Sequence, residues 1–478
     1  GVMMCRMEQE IPVGRVAERS SHEKWRDSVL GEEESCRRPP VPMIHRVPNV
    51  MVQVKEDRRK YFVPTVVSIG PYHHDNPTLR AMENVKLKST GRIFGDMPDE
   101  LDKAYENLSK RIPDLRDCYA DKPSVDRYGD DVLTRMMLHD GCFLLAFVGA
   151  AGNKPEEMGL MVHQRANVMQ DLFLLENQIP YTVLQILIPF MPGSVRPGQP
   201  HSPPSEDLNG VGNFIRNNIP IKTSVPYQCG TASGFLNILW KRICNSNEPP
   251  PPQENIPKQP PAHLLECMWK LIVENVQPEE GYPRPKNCSF RSVAELTAAG
   301  IYPRPMEEVK KIRVRPDWVV FSKLELPHLT VDDSTEPLYL NLVAHEMFPS
   351  LEPKPVFTSF VCFLDSLIDK REDVMQLRKA HVIQNQLGSD KEVAKLFNRI
   401  ANDLVPDEEY YGTVTHKIDT HFNSVVKPKI AEFIETHFSK PWTIISVLAA
   451  FYALVLGSLD TFRKTNCDTL CERLKRTV

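Results

Sequence analysis

Residues 168–190 read VMQDLFLLENQIPYTVLQILIPF, and the pattern sets the expectation for the whole chain. Val168, Leu172, Leu175 and Ile179 recur at helical intervals, on one face of a helix that must kink or stop at Pro180. A second short helix is expected beyond the proline. Glu176, Asn177 and Gln178 place three polar side chains against this apolar run, where backbone groups freed by the proline need partners. Their expected task is structural: buried hydrogen bonds that tie neighbouring helices together.

The same spacing recurs on both sides of this stretch. Leu79, Met82, Val85 and Leu87, then Leu101, Ala104 and Leu108, mark helices between residues 77 and 110. MMLHDGCFLLAFVGAA at 136–151 is strongly apolar but broken by His139, Asp140 and Gly141, and reads as a core helix rather than a span. Further helices are expected in HLLECMWKLIVENV from His263 and in PLYLNLVAHEM, whose Pro337 suits a first turn. Another is expected across 361–383, through Leu364, Leu367, Ile368, Val374 and Leu377, ended by the turn QLGSD. Ser389 and Glu392 form a capping box for a helix carrying Val393, Leu396, Phe397 and Ile400, completing a helical hairpin. Extended structure is expected at 44–74, and in KKIRVRP and DWVVFSKLELPHLTVDD, where residues 323–326 alternate with period two. The fold class is therefore mainly α: an irregular multi-helix globular domain with a small β-sheet.

Composition divides the chain further. Residues 1–41 are polar and aperiodic, a flexible N-terminal extension, and residues 42–440 form the helical domain, interrupted by Pro-rich loops near 192–207 and 248–262. Residues 441–460 are expected to be a transmembrane helix, followed by a short polar tail at 461–478. WTIISVLAAFYALVLGSL at 442–459 runs uncharged for 18 residues. At about 1.5 Å per residue it would be about 27 Å long, close to the hydrocarbon thickness of about 30 Å. Trp442 would sit at the interface, while Ile445, Leu448, Phe451, Leu454 and Leu459 would meet lipid on all sides. The N-terminal residues hold no apolar stretch that could act as a secretory signal, so the bulk of the chain is expected in the cytosol. Localisation would be a single-pass plasma membrane or endomembrane protein; the alternative is a soluble regulator whose C-terminal apolar helix is buried. Arg463, Lys464, Arg473, Lys475 and Arg476 after the span, against Lys427, Lys429 and Lys440 before it, vote mildly for the opposite orientation.

Catalytic and ligand-binding signatures are missing. With 58 Lys+Arg against 62 Asp+Glu over 478 residues, the net charge of -4 offers no global field for nucleic acid, and no such partner is expected. Lys310, Lys311, Arg313 and Arg315 form the most basic spot and read as a solvated strand face. No glycine-rich phosphate loop or G-x-S-x-G elbow occurs, and His345–Glu346 lacks the second histidine of a zinc site. His73 and His74 are adjacent and would diverge in an extended segment, so no metal is assigned. Asp365 and Asp369 read as the wet side of an amphipathic helix. Eleven cysteines without a C-x-x-C pair fit a reducing compartment. No cofactor and no catalytic residue are expected; an enzyme, were it one, would centre on Glu176 or His73.

Several strings are recognisable in combination: IHRVP at 44–48, YFVP at 61–64, and SIGPYHH at 68–74, which holds Gly70, Pro71, Tyr72 and His73. Met82 with Glu83 and Lys86, DGCFLL from Asp140 and Gly141, LLENQIP at 174–180 and AELTAAGI from Ala294 follow in order. ELPHLTVDD, Asn341, Glu346, LGSDKEVAKLFN from Leu387 and a PW before the last apolar run complete the series. Over roughly residues 42–460 the chain resembles the plant family called domain of unknown function 247. The resemblance implies a mainly helical body, one C-terminal span and structural roles for Gly70, Pro71, Tyr72, His73, Asp140, Gly141, Glu176, Asn177, Gln178, Pro180, Asn341 and Glu346. It also implies an unidentified protein partner, since some members of that family are associated with self-incompatibility in grasses, which is recognition rather than catalysis. The Pro-rich insertions and the residues after Leu459 depart from the family's pattern.

Overall fold

The computed structural model describes residues 44–53, 56–150, 158–191, 215, 261–273, 276, 291–306, 312–316, 321–348, 355–407, 409–424, 445–446, 449–459 and 461. The N-terminal extension, most of both Pro-rich loops, the tail beyond residue 461, and Trp442 and Leu448 of the expected span lie outside these. The body is mainly helical with two small sheets.

Its first half contains α1 (Asn49–Gln53), α2 (Arg80–Phe94), α3 (Pro98–Ser109), α4 (Ile112–Asp117), α5 (Lys122–Asp126), α6 (Asp130–Ala150), α7 (Val162–Asp171) and α8 (Tyr181–Leu187). The α6 helix opens with Asp130 and Asp131, carboxylates that suit the positive end of a helix dipole, and buries Leu133, Met137, Phe143 and Phe147. Residues Asp130–Gly149 are apolar enough to cross a membrane, but 72% of the qualifying window is buried inside the body, so α6 is the core helix the sequence predicts. The α2, α3 and α8 helices pack around it. Leu87, assigned by periodicity to the inner face of α2, is 58% exposed, because the neighbouring Lys86 takes the inward position with no exposure at all.

The α7 helix ends at Asp171, nine residues short of Pro180, so the continuous helix expected through Ile179 does not form. Side chains replace the backbone: Asn177 Nδ2 donates to the Asp171 carbonyl at 2.9 Å, and Gln178 Nε2 donates to the carbonyls of Leu172 and Leu174 at 2.8 Å each. Carbonyls served in this way no longer need helical N–H groups, and the chain stays irregular up to α8. The second short helix begins at Tyr181 as expected. Residues 44–74 are likewise less extended than their β-branched runs suggest. They hold α1, a 3₁₀ stretch at Glu56–Tyr61 and one isolated bridge from Ile44 to Tyr119.

The second half contains α9 (Leu264–Val273), α10 (Val293–Ala298), β1 (Ile301–Met306), β2 (Arg313–Pro316), β3 (Ser322–Pro327), β4 (Leu329–Val331), α11 (Thr335–Glu346), α12 (Val356–Leu367), α13 (Arg371–Lys379), β5 (Ile383–Asn385), α14 (Asp390–Ala401) and α15 (Gly412–Asn423). Every residue of α11 is buried. The expected helix over 361–383 divides into α12, α13 and strand β5, with the break fixed by Asp373, whose carboxylate accepts the N–H groups of Asp369 and Lys370 at 3.2 and 2.9 Å. The α13 and α14 helices pack against each other, as the hairpin reading requires, although a strand intervenes. Ser389 caps α14 by accepting the Glu392 N–H at 3.3 Å, but Glu392 completes no box, because its carboxylate accepts from Lys395 at 2.9 Å.

The sheet order is β1-β3-β2, with β1 parallel and β2 antiparallel to β3, while β4 and β5 form a parallel pair. Strand β1 went unforeseen because Pro303 and Pro305 argue against a strand. The Ser322 N–H donates to the Gly300 carbonyl at 2.9 Å, so even-numbered positions of β1 bond β3 and odd ones face outward. Both prolines therefore stand where a free-edge N–H would be, and the outer edge cannot recruit another strand.

At the C-terminal end the apolar helix α16 spans Ala449–Leu459, which at about 1.5 Å per residue is about 16 Å. Among the described residues it is therefore too short by itself for a hydrocarbon core of about 30 Å. Its large apolar side chains point away from the body: Phe451, Tyr452 and Leu454 are 66%, 65% and 72% exposed.

Where α9 meets α11, His263 and His345 are buried with ring centroids 5.3 Å apart, and Trp269 lies 5.8 Å from His345. Neither Nε2 has a hydrogen-bond partner, and burial pushes both rings down from 6.5 to about 3. A depressed value means the unfolded chain binds the extra protons first. Stability is complete above pH 6.5 and falls as pH drops toward the folded value, by about 2 kcal/mol per histidine at about pH 5. Urea unfolding of wild type and His345→Phe between pH 8 and 5 is expected to show a shallower loss in the variant by about 2 kcal/mol.

Candidate functional site

The chain enters at Thr65 and crosses the interior over residues 67–72 beside the loop at 172–180, and side chains rather than strands serve its backbone. Asp171 accepts the N–H groups of Thr65, Val66 and Val67 at 2.9, 2.7 and 2.9 Å. Asn177 Oδ1 accepts from Ile69 at 2.6 Å while its Nδ2 donates to the Val67 carbonyl at 3.0 Å. Asp140 Oδ2 accepts the Gly70 N–H at 2.7 Å, and its Oδ1 lies 2.7 Å from Lys86 Nζ. Lys86 also meets Glu83 at 2.6 Å. Burial is the largest influence on both members of the buried pair: it drives the Asp140 carboxyl up against the pull of Lys86, whereas for Lys86 the two carboxylates outweigh it and hold the ammonium above its usual value. Removing Lys86 would strand the Asp140 charge, at a cost of about 3–5 kcal/mol, whereas loss of Asp140 leaves Lys86 its pair with Glu83.

Gly70 adopts φ +77, and a Cβ there would lie 2.4 Å from the Gln178 carbonyl oxygen and 3.0 Å from the Tyr119 hydroxyl. Only glycine tolerates both the left-handed backbone and the close approach. Pro71 and Tyr72 follow in the buried turn; Tyr72 donates to the Ile44 carbonyl at 3.0 Å.

A second polar group lies closer to the surface. Glu176 Oε1 accepts the Val47 N–H at 2.8 Å, and Oε2 lies 2.9 Å from Arg46 Nη1 and 3.2 Å from His73 Nε2. Burial would raise this carboxyl, but His73, the Val47 N–H and Arg46 together hold it below the usual range. The Arg46 guanidinium lies 4.1 Å from the Tyr72 ring centroid, and bonds Asp121 and Ser124 at 3.0 Å each. Thus His73 and Glu176, far apart in sequence, do meet, whereas His74 turns aside to pack edge-on against Tyr128 with centroids 5.8 Å apart.

The remaining family-motif positions act as joints. Asn341 Oδ1 accepts the Leu175 N–H at 2.7 Å, and its Nδ2 donates to the carbonyls of Tyr61 and Pro337. Gln178 Oε1 accepts the Leu265 N–H at 3.2 Å, linking the loop to α9. Glu346 receives the N–H groups of Phe357 and Thr358 at the start of α12 and the indole of Trp269, all at 2.7 Å. Pro180 stands at the N-cap of α8, and Gly141 lets α6 approach Leu187 and Val183. The positions split into two gatherings: Gly70, Tyr72, His73, Asp140, Glu176 and Asn177 lie around one segment, while Asn341 and Glu346 tie α11 to its neighbours. Asp171, Asp373 and Arg46 were missed. The signal for Asp171 was a lone carboxylate inside an apolar run, which burial in need of partners explains. Of the aspartates weighed as a wet face, Asp365 is half-buried and its carboxyl is pushed up to about 6 by burial and then by Asp369. Among the described residues no group of three or more His, Cys, Asp or Glu is placed to hold a metal ion.

The two glycines separate strain from crowding. A Cβ at Gly141 would meet the flexible end of Leu187 at 2.4 Å, whereas at Gly70 the obstacle is backbone. In urea unfolding Gly70→Ala is expected to lose about 3 kcal/mol or more and Gly141→Ala about 1–2 kcal/mol; equal losses would contradict the backbone constraint.

Comparison with known proteins finds relatives in plants. The UPF0481 protein At3g47200 of Arabidopsis thaliana is 27% identical over 442 residues, covering 90% of this chain and 86% of the relative. A second UPF0481 protein of the same plant, At3g02645, is 22% identical over 470 residues, covering 84% and 86%. No solved structure is a significant match. The family model DUF247, described as "Plant protein of unknown function", matches residues 44–456, which takes in both the interior segment and the joints around α11. The chain belongs to the DUF247 family.

Proposed function

We propose that this protein is a non-enzymatic recognition scaffold, held on a plasma membrane or endomembrane by its C-terminal helix with the body in the cytosol. The observation that carries the reading is the exposure of α16, where Phe451, Tyr452, Leu454, Leu456 and Leu459 all face away from the body. A contiguous apolar surface of this kind is unfavourable in water and favourable in lipid, at about 25 cal/mol per Å² transferred. Uncharged sequence precedes α16, and the full stretch of 18 residues at 442–459 matches a bilayer core of about 30 Å far better than α16 alone. Ile445 is exposed as well.

Recognition of an unidentified protein partner is favoured over catalysis by the state of the polar groups. An enzyme centred on His73 and Glu176 draws on their 3.2 Å contact. Against it, Glu176 is already committed to Arg46 and to the Val47 N–H, which makes it an anchor for the chain rather than a base awaiting a proton. The buried carboxylates of Asp171 and Glu346 are similarly occupied by backbone donors.

Carbonate extraction of membranes bearing the full chain tests the anchor. The protein is expected to stay in the pellet, and Leu454→Arg with Val455→Arg to move it to the supernatant; release of wild type would refute anchoring. Orientation has its own readout, because Asn107 is exposed on α3 in an N-x-S sequence. A cytosolic body leaves Asn107 without sugar, and glycan at that residue would place the body on the opposite side.

A further inference from the structure

Register in the three-stranded sheet sorts its side chains into two unlike faces. Pro303, Leu324 and Val314 share one row and point inward with the buried Leu326. The other face carries two rows: Tyr302, Lys323 and Arg315, then Arg304, Glu325 and Arg313. Four cations and one carboxylate thus share a surface about two residues deep. Glu325 is spoken for by Arg315 at 3.1 Å; among the described residues neither Arg304 nor the half-buried Arg313 has an ion-pair partner. Arg304 is exposed, Arg315 has a side chain 56% exposed, and Tyr302 is exposed beside them. On a chain with a net charge of -4, such a patch acts only at close range, within a screening length of about 8–10 Å.

The patch is also tethered to α16. The α15 helix packs on β2, and His421 near its end shares short polar contacts with the Ala299 carbonyl at 2.7 Å and with Ser322 at 3.3 Å. From Ser424 to Ile445 the chain is 21 residues, a reach of at most about 75 Å. A basic face held that near a bilayer meets lipid headgroups at high effective concentration. We propose that the outward face of the three-stranded sheet, through Arg304, Arg313, Arg315 and Lys323, docks on the anionic headgroups of the membrane that α16 enters. The geometry rests on the anchoring reading above. Tyr302 supplies the amphipathic ring that suits the headgroup layer. Each arginine facing an anionic leaflet contributes roughly fivefold to partitioning.

Flotation of the full chain carrying Leu454→Asp and Val455→Asp isolates the sheet, because acidic residues at these exposed positions on α16 disable the anchor without touching the core or adding affinity for anionic lipid. Vesicles of phosphatidylcholine alone are compared with vesicles containing about 30% phosphatidylserine at about 0.1 M salt. Binding is expected only with phosphatidylserine, to weaken as salt rises, and to fall at least roughly 25-fold on adding Arg304→Glu and Arg313→Glu. Arg304→Glu alone, at an exposed position, is expected to lose fivefold or more with unchanged circular dichroism. Equal flotation on both vesicles, indifference to the arginine substitutions, or stronger arginine-dependent capture of single-stranded RNA than of lipid would each overturn the proposal. Carbonate resistance of wild type is scored separately, so an anchor without a docking face and a face without an anchor give different results.

Discussion

Buried backbone without secondary structure has to find acceptors, and this body supplies them from side chains. The segment at 65–70 runs through the interior with five of its N–H groups accepted by Asp171, Asn177 and Asp140. An unpaired buried amide costs about 1–3 kcal/mol, so leaving the three buried ones, at Val67, Ile69 and Gly70, unmet would take a large share of a domain's stability of about 5–15 kcal/mol. The segment therefore exists in this path only while the three side chains hold it, and they in turn are held by Lys86 and by the loop at 172–180. Glycine at 70 and the salt bridge at Lys86 follow from the same constraint: one permits the close approach, the other neutralises the carboxylate that anchors it.

The arrangement repeats wherever regular structure breaks. Glu346 starts α12, Asp373 starts α13 and also accepts the Ala294 N–H, and Asn341 joins α11 to the 172–180 loop. Carboxylates so engaged fasten one segment to the next: Glu346 holds the start of α12 and Asp373 the start of α13.

Regular elements were legible in the sequence because periodicity reports burial directly: α6, α9, α11 and α14 stand where their apolar spacing puts them. Strand β1 was hidden by prolines whose missing N–H groups matter only once the free edge is known. The early end of α7 was hidden too, since Asn177 and Gln178 compete for its carbonyls across six residues and leave the apolar spacing intact. Structural roles for Glu176, Asn177 and Gln178 were readable from their place in an apolar run. The meeting of Glu176 with Arg46 and His73 was not, because no local pattern records contacts between residues 130 positions apart in the chain. The face of the sheet was partly visible as a basic run, but only the strand register adds Arg304 and Lys323 to it.

Hydrogen exchange of the native chain addresses the central constraint most directly. The amides of Val66, Val67, Ile69 and Gly70, which belong to no helix or strand, are expected to exchange only with global unfolding, as slowly as those in the middle of α6. Exchange of these four at the rate of surface turns, while α6 stays protected, would contradict the claim that side-chain acceptors hold the interior segment.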